Sequence, residues 1–179
     1  MISYAISDPA TLSFETIDDD LERIARKADM ILYRDKNNPS YNSFAKIFME
    51  RARGFPFEKI VLHGSVDLAS KLAADGVHLT SGQSAEIAEA KKRGLFVVIS
   101  THTVAEAAEA EALGADMITF SPIFASPGKG HPLGTAALKE LKGIISLPII
   151  ALGGILTQAE IDACRAAGAS GFASIRYFH

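Results

Sequence analysis

Three cationic side chains stand where they could bind an anion. Arg34 and Lys36 flank Asp35 at the end of an apolar run, and Lys129 lies in the segment SPIFASPGKG, residues 121–130. Side chains alternate in direction along a β-strand, so Arg34 and Lys36 would point to the same face. Two neighbouring cations on one face indicate an anion site. The alternative is that Asp35 and the helix beyond it neutralise both cations at the surface.

A glycine pair could complete such a site with backbone groups. Gly153 and Gly154 follow an apolar run, and their lack of side chains would allow their N–H groups to approach a phosphate. An ordinary turn is the alternative, although a turn would need only one glycine. Arg176 closes the last apolar run and could hold the same phosphate through two parallel hydrogen bonds. Otherwise Arg176 is a surface residue.

Three histidines end or follow apolar runs and could take part in acid–base chemistry. His63, His78 and His102 lack the spacing of a metal site, and no Asp or Glu accompanies them where the third and fourth runs end. We therefore expect no protein-held metal. A histidine at a strand end is more often a structural hydrogen-bond partner than a catalyst, but His63 or His102 could serve as a general base.

These residues are positioned by a regular alternation of strand-like and helix-like segments. Eight short apolar or β-branched runs span residues 2–7, 30–35, 59–63, 76–80, 96–101, 117–122, 148–153 and 171–176. Five intervening stretches have helical spacing, at residues 15–27, 66–75, 84–93, 103–113 and 157–167.

The alternation predicts the α/β class and a (β/α)8 TIM barrel, since eight such units are the number that closes. An open, doubly wound sheet is the alternative, but no Gly-x-Gly-x-x-Gly follows any strand. The barrel is short: only Tyr177, Phe178 and His179 follow the eighth run, so the last helix should be absent. Phe172, Ile175 and Phe178 would then be exposed, which suggests a homodimer.

A barrel of this kind carries its chemistry at the carboxyl ends of its strands. The cations, the glycine pair and the hydroxyl of Ser100 all lie at the ends of such runs or in the loops after them. Residues 121–130 would form the loop after the sixth strand and cover a ligand, with Lys129 placing its charge over the mouth. An ordinary surface loop with a solvated lysine is the alternative.

Composition and charge exclude several other classes of protein. The 179 residues are 48% apolar with a formal charge of −3, which fits one domain over residues 1–179. No basic stripe suggests nucleic acid, and no apolar run reaches the roughly 18 residues that cross a bilayer. No basic stretch precedes the first run, so we expect a cytoplasmic protein. Cys164, the single cysteine, should be a small core residue.

Six motifs resemble the thiamine-phosphate synthase and TenI superfamily of (β/α)8 barrels over nearly the whole chain. They are YAISD at 4–8, YRDK at 33–36, ADGVHL at 74–79, STHT at 100–103, GADMITFSPIFASPGKG at 114–130 and LPIIALGGI at 147–155. The resemblance implies an enzyme of thiamine biosynthesis that joins an aminopyrimidine methyl diphosphate to a thiazole phosphate, with Mg²⁺ on the diphosphate. Both phosphorylated molecules would be its small-molecule partners.

The resemblance also implies roles for individual residues. The three cations named above would hold the diphosphate, in agreement with the anion site inferred from their positions. Ser100 would lie beside the pyrimidine. Ser126 would reach the thiazole phosphate, and the Gly154 amide would bind that phosphate too.

The chain departs from the family pattern at the expected Mg²⁺ ligands. Where the pattern has Asn-Asp after the third strand, this chain has His63-Gly64, and Gln83 stands in place of a further acid. Leu32 replaces the Gln that precedes the Arg-x-Lys pair. Mg²⁺ prefers hard oxygen ligands, usually including a carboxylate, so a metal-assisted departure of diphosphate is doubtful here.

The sequence leaves three functions open. The first is a thiamine-phosphate synthase in which the three cations replace much of the metal's charge. The second is a non-catalytic TenI-like protein that binds thiazole phosphate. The third is a thiazole-phosphate isomerase with His63 or His102 as base. The TenI branch carries a histidine after strand six, where this chain has Pro122, and Arg176 replaces the family's serine at the eighth strand.

Overall fold

Eight parallel strands form a closed barrel in the computed structural model, which describes residues 1–179. Each strand pairs with the next along the chain, and the first strand pairs with both the second and the eighth. The strands are β1 Ile2–Ile6, β2 Met30–Tyr33, β3 Lys59–His63, β4 Gly76–Leu79, β5 Phe96–Thr101, β6 Met117–Phe120, β7 Ile149–Leu152 and β8 Gly171–Ser174. Closure confirms the predicted barrel and excludes the open sheet.

Seven α-helices surround the barrel. They are α1 Ile17–Ala25, α2 Tyr41–Ala52, α3 Val66–Lys71, α4 Ile87–Lys92, α5 Val104–Ala112, α6 Gly134–Lys142 and α7 Gln158–Ala166, and a 3-10 helix, Ser81–Glu86, leads into α4. Helices α2 and α6 lie outside the five stretches predicted from spacing. In α6 only Leu138 and Leu141 are buried, so its apolar pattern is weak. Helix α2 buries a regular stripe, Ala45, Phe48, Met49 and Ala52, which the prediction missed.

Alternate strand residues fill the inside of the barrel. Nine of them form one apolar cluster: Tyr4, Ile6, Met30, Leu32, Val61, Val98, Met117, Ile150 and Ala173. Outward residues of the same strands pack with the helices in a larger cluster of 42 buried residues. Because of this alternation, Leu32 and Arg34 line the mouth, whereas Tyr33 packs in the outer cluster.

The segment after β8 folds back onto the barrel. A single 3-10 turn, Arg176–Phe178, takes the place of a helix. Phe178 and Phe172 are 2% and 5% exposed, and their rings stack with centroids 5.8 Å apart. The Arg23 guanidinium on α1 donates a hydrogen bond to the Phe178 carbonyl. The expectation that Phe172 and Phe178 are exposed is therefore wrong, and the suggested homodimer loses the apolar face on which it rested.

Two other expectations concern burial and membrane contact. Cys164 is fully buried and forms no disulfide, which confirms it as a core residue, and burial raises the pKa of its thiol to about 11. None of the helices combines the length and apolarity that crossing a bilayer would require.

Candidate active site

A pocket of about 260 Å³ opens in the mouth of the barrel, at the carboxyl ends of the strands. Every strand contributes an inward residue at its end or the residue that follows: Ile6, Leu32, His63, His78, Ser100, Ser121, Leu152 and Ile175. Barrels of this architecture hold their active sites at this face.

The three cations that the sequence singled out meet in this pocket. Arg34, Lys36 and Lys129 all line it, and none of them forms a salt bridge. Asp35, the alternative counter-ion, pairs with none of them. Partial burial, followed by the charges of Arg34 and Lys129, lowers the pKa of Lys36. Cations that repel one another without a counter-ion favour the binding of an anion.

Two neutral imidazoles form part of the floor beside these cations. Burial, followed by the charges of Arg34 and Lys36, lowers the pKa of His63 to about 4. Burial is also the largest cause at His78, whose pKa falls to about 3, with His63 and the two cations adding to the effect. Both histidines are therefore uncharged at neutral pH, so the floor is polar but carries no charge of its own.

A hydrogen-bonded chain holds His78 in place. Its Nδ1 lies 3.1 Å from the Tyr4 hydroxyl inside the barrel, and its Nε2 lies 3.0 Å from Ser100 Oγ at the pocket. The Tyr4 ring stacks on the imidazole, with centroids 5.8 Å apart. Burial raises the pKa of Tyr4 well above its usual value, so its phenol keeps its proton. Ser100, expected beside the pyrimidine, is thus oriented by a buried imidazole.

The two candidate bases, His63 and His102, differ in their surroundings. The His63 side chain lines the pocket and makes no hydrogen bond, while its backbone N–H donates to the Tyr41 hydroxyl at 3.1 Å. His102 is exposed, and its Nδ1 lies 2.9 Å from the carbonyl oxygen of Ser121. That carbonyl can only accept, so Nδ1 carries a proton, and Nε2 holds the lone pair in the corresponding tautomer.

The loop after β6, residues 121–130, is tied down at its start and contributes two side chains to the mouth. Ile123 and Phe124 donate backbone hydrogen bonds to the carbonyls of Leu152 and Gly153, at 2.9 and 3.0 Å. Ser126 and Lys129 beyond them line the pocket. This placement agrees with a loop that lies over a ligand at the mouth.

The glycine pair after β7 is required by this loop. A Cβ on Gly153 would lie 2.8 Å from Pro122 Cα, and one on Gly154 would lie 2.5 Å from the carbonyl oxygen of Ala125. Both glycines also have positive φ, +99° and +70°. Gly153 lines the pocket and Gly154 does not, so close packing against the loop explains the pair without a phosphate.

Arg176 does not lie where the sequence suggested. Strand β8 ends at Ser174, so Arg176 begins the final 3-10 turn, and its side chain is exposed and outside the pocket. Ile175 lines the mouth instead. The prediction that Arg176 holds a phosphate there is therefore not supported, because the strand stops two residues earlier than the apolar run.

The residues at the expected Mg²⁺ positions do not fit a metal. No group of three or more His, Cys, Asp or Glu side chains is arranged to hold one. The Gln83 amide is engaged in hydrogen bonds to Thr80, Gly64 and Glu86. Neither Gly64 nor this occupied amide offers Mg²⁺ the carboxylate that it prefers.

Tyr4 is the site residue that the sequence pattern does not reveal. Alternation in β1 places it inside the barrel, and a buried phenol there needs a partner. That partner, His78, lies 74 residues away along the chain. No local pattern could have connected them.

The fold and the pocket together define a class: a (β/α)8 barrel whose strand ends enclose three unpaired cations above an uncharged polar floor. Residues 3–178 match the family model described as Thiamine monophosphate synthase. The chain belongs to the thiamine monophosphate synthase family, as the resemblance of its motifs implied.

Individual relatives agree with this assignment. A thiamine-phosphate synthase from Methanoculleus marisnigri is 35% identical over 181 residues, which cover 96% of this chain and 84% of that protein. A putative thiamine-phosphate synthase 2 from Aquifex aeolicus is 33% identical, with 98% and 96% covered. Thiamine phosphate pyrophosphorylase from Pyrococcus furiosus superposes with a TM-score of 0.82 at 25% identity, covering 97% of this chain and 85% of that chain.

Proposed function

We propose that this protein is a thiamine-phosphate synthase that joins an aminopyrimidine methyl diphosphate to a thiazole phosphate without a metal ion held by the protein. The names of its relatives support the reaction. The observation that carries the proposal is the meeting of Arg34, Lys36 and Lys129 in one pocket with no carboxylate paired to any of them.

The cations suit the step in which diphosphate leaves. The bond between the pyrimidine methylene carbon and the diphosphate oxygen breaks, and its electron pair stays on the oxygen. Charge therefore builds up on the leaving group, where fixed cations stabilise it more than they stabilise the ground state. Burial, and then repulsion from Arg34 and Lys129, lower the pKa of Lys36, which has no counter-ion in the free protein. Binding of a diphosphate would relieve that repulsion.

The uncharged floor suits the other product of that step. The pyrimidine methylene becomes a cation, which the thiazole nitrogen attacks with its lone pair to form the new C–N bond. Protonated histidines at this position would oppose the cation, whereas neutral His63 and His78 do not. Ser100, held by His78, can offer its hydroxyl to a ring nitrogen or amino group. Ser126 and Gly153 line the pocket nearby and could approach the thiazole phosphate.

The experiment is to measure thiamine phosphate formation from both substrates, with Mg²⁺ and with excess chelator. We expect product in both conditions, because the charge on the leaving group is met by side chains. Product with Mg²⁺ only would contradict the metal-free part of the proposal. No product from folded protein in either condition would reject the synthase. Tight binding of thiazole phosphate without turnover would then favour the non-catalytic binding protein.

One observation favours a second candidate, the thiazole-phosphate isomerase. The Ser121 carbonyl holds the proton of His102 on Nδ1, which leaves Nε2 able to accept a proton from a substrate. This reaction would be supported if the His102→Asn variant no longer isomerised the thiazole phosphate while the His63→Asn variant still did. Loss in both variants, or in neither, would reject His102 as its base.

A further inference from the structure

A second cavity lies beside the mouth, on the outer side of β1 and β2. Its volume is about 380 Å³, and it is an open cavity bordered by the loop after β1, the loop after β2 and the start of α2. Three carboxylates and three aromatic rings supply much of its lining: Asp8, Glu15, Asp35, Phe14, Tyr33 and Phe44. The proposed synthase reaction uses none of them.

The charge of this cavity is opposite to that of the mouth. No Lys, Arg or His lines it, and none of its three carboxylates forms a salt bridge. Asp8 accepts hydrogen bonds from the Ala10 N–H and the Thr11 hydroxyl, and Asp35 accepts one from Asn38. These local bonds shape the two loops but leave the negative charges uncompensated. The cavity therefore favours a cation.

The lining indicates an organic cation and not a metal ion. The three carboxylates do not converge in a group that could hold a metal. The volume instead falls within the range of small-molecule sites, about 300–1,000 Å³. Phe14 lies against Phe44 with ring centroids 4.5 Å apart, and it is roughly perpendicular to the Tyr33 ring, with centroids 5.7 Å apart. Aromatic rings beside carboxylates attract ammonium groups that carry apolar substituents.

Tyr33 supplies a second, independent observation at this cavity. The residue lines the cavity and is 2% exposed, yet its hydroxyl has no hydrogen-bond partner. Burial and then the charge of Asp35 raise its pKa to about 12, while the Asn38 side chain lowers it in part. A buried polar group without a partner is costly, so a ligand that pairs with it would gain affinity.

We propose that this cavity binds a small organic cation, an ammonium group attached to a flat apolar ring. The carboxylates of Asp8, Glu15 and Asp35 supply the negative charge. Phe14 and Phe44 form the apolar walls, and the Tyr33 hydroxyl forms a hydrogen bond with the ligand. The site is separate from the mouth, and the inference does not depend on the synthase reaction.

The proposal is tested by calorimetric titration at low salt. The protein is titrated with benzylammonium and, separately, with benzyl alcohol as the neutral counterpart. We expect saturable binding of benzylammonium with a Kd on the order of 1 mM and at least about tenfold weaker binding of benzyl alcohol. Inorganic phosphate, added to occupy the mouth, should leave this binding unchanged. Equal affinity for the two probes, or no saturable binding of benzylammonium, would overturn the proposal.

Two variants and a control locate the site. Glu15→Gln removes an exposed carboxylate whose side chain makes no hydrogen bond, and should weaken benzylammonium binding about threefold without loss of folding. Asp19→Asn makes the same charge change on the exposed side of α1 and should have no effect. Tyr33→Phe should raise the melting temperature, because a buried unpaired hydroxyl is removed, and yet weaken binding. Equal effects of Glu15→Gln and Asp19→Asn would contradict the site.

Discussion

Gln83 donates a hydrogen bond from Nε2 to the carbonyl oxygen of Gly64, with the two atoms 2.7 Å apart. The same nitrogen donates to Glu86 at 2.9 Å, and Oε1 accepts from the N–H and the hydroxyl of Thr80. These bonds use both donors and both acceptor positions of the amide. The two positions at which the family pattern carries acids are thus tied directly to each other, and the loops after β3 and β4 are joined without a metal.

Replacing Gln83 by alanine should destabilise the protein by about 1–3 kcal/mol, because partly buried groups of Gly64 and Thr80 lose their partner. The Gln158→Ala variant is a matched control, since Gln158 also lies in the first turn of a helix but makes only an exposed bond to Asp162. We expect it to change stability by less than about 0.5 kcal/mol. Urea denaturation measures both. Similar losses in the two variants would show that the Gln83 bridge has no special role.

Lys129→Met should lower kcat/KM for thiamine phosphate formation by about tenfold to a hundredfold, because a cation facing the leaving diphosphate is removed. Lys139→Met makes the same change on the exposed side of α6, outside the pocket, and should leave kcat/KM within about twofold of the parent. Steady-state kinetics at fixed ionic strength compare them. If Lys139→Met fell as far as Lys129→Met, the effect would come from net charge and not from the pocket.

Acid should destabilise the fold through His78. Its pKa is about 3 in the folded protein and about 6.5 when unfolded, so below pH 6.5 only the unfolded chain takes up this proton. The stabilisation is complete above pH 6.5 and is lost as the pH falls toward 3. Between pH 7 and 5, His78 should account for about 2 kcal/mol of lost stability.

The measurement is urea denaturation at pH 7 and pH 5 for the parent, His78→Gln and His131→Gln. His78→Gln should lose about 2 kcal/mol less than the parent over this interval. His131 is exposed and makes no hydrogen bond, so its variant should follow the parent. A His78→Gln variant with the parent's pH dependence would argue against a buried, neutral imidazole.

Gly154→Ala should cost more than about 2 kcal/mol, because its Cβ would meet the Ala125 carbonyl oxygen and its φ is +70°. Gly82→Ala is the control, since nothing lies within 4 Å of a Cβ at Gly82 and its φ is not positive. That change should be close to neutral. Thermal unfolding of the two variants gives the comparison, and a Gly154→Ala protein as stable as Gly82→Ala would mean that the loop after β6 is not packed on this glycine.

Several features could be predicted because they depend on neighbours in sequence. The eight strands could be predicted because each is a short apolar run, and such a run is buried whichever element packs against it. Alternation along one strand places Arg34 and Lys36 on the same face. Lys129 could be assigned to the mouth because it lies in the loop after the sixth strand. The barrel rule then brings all strand ends to one mouth.

Other features needed distances between residues far apart in the chain. Arg176 lies outside the mouth because β8 ends at Ser174, and Phe178 is buried because the final turn packs on Phe172. The pairing of Tyr4 with His78 joins β1 to β4 across the barrel interior. Periodicity predicts on which face of a strand a side chain lies. It does not predict which side chain from another strand contacts it.

The sequence by itself therefore determined the barrel, the family and the cationic mouth, since periodicity and motifs are local properties of the chain. Only the tertiary structure decided that the mouth has a neutral floor, that Gly153 and Gly154 accommodate a neighbouring loop, and that an acidic cavity lies beside the cationic one. Burial and neighbouring cations keep the two histidines neutral, and the close approach of the loop after β6 requires the two glycines. These effects and the lining of the acidic cavity all depend on the distances that the closed barrel imposes.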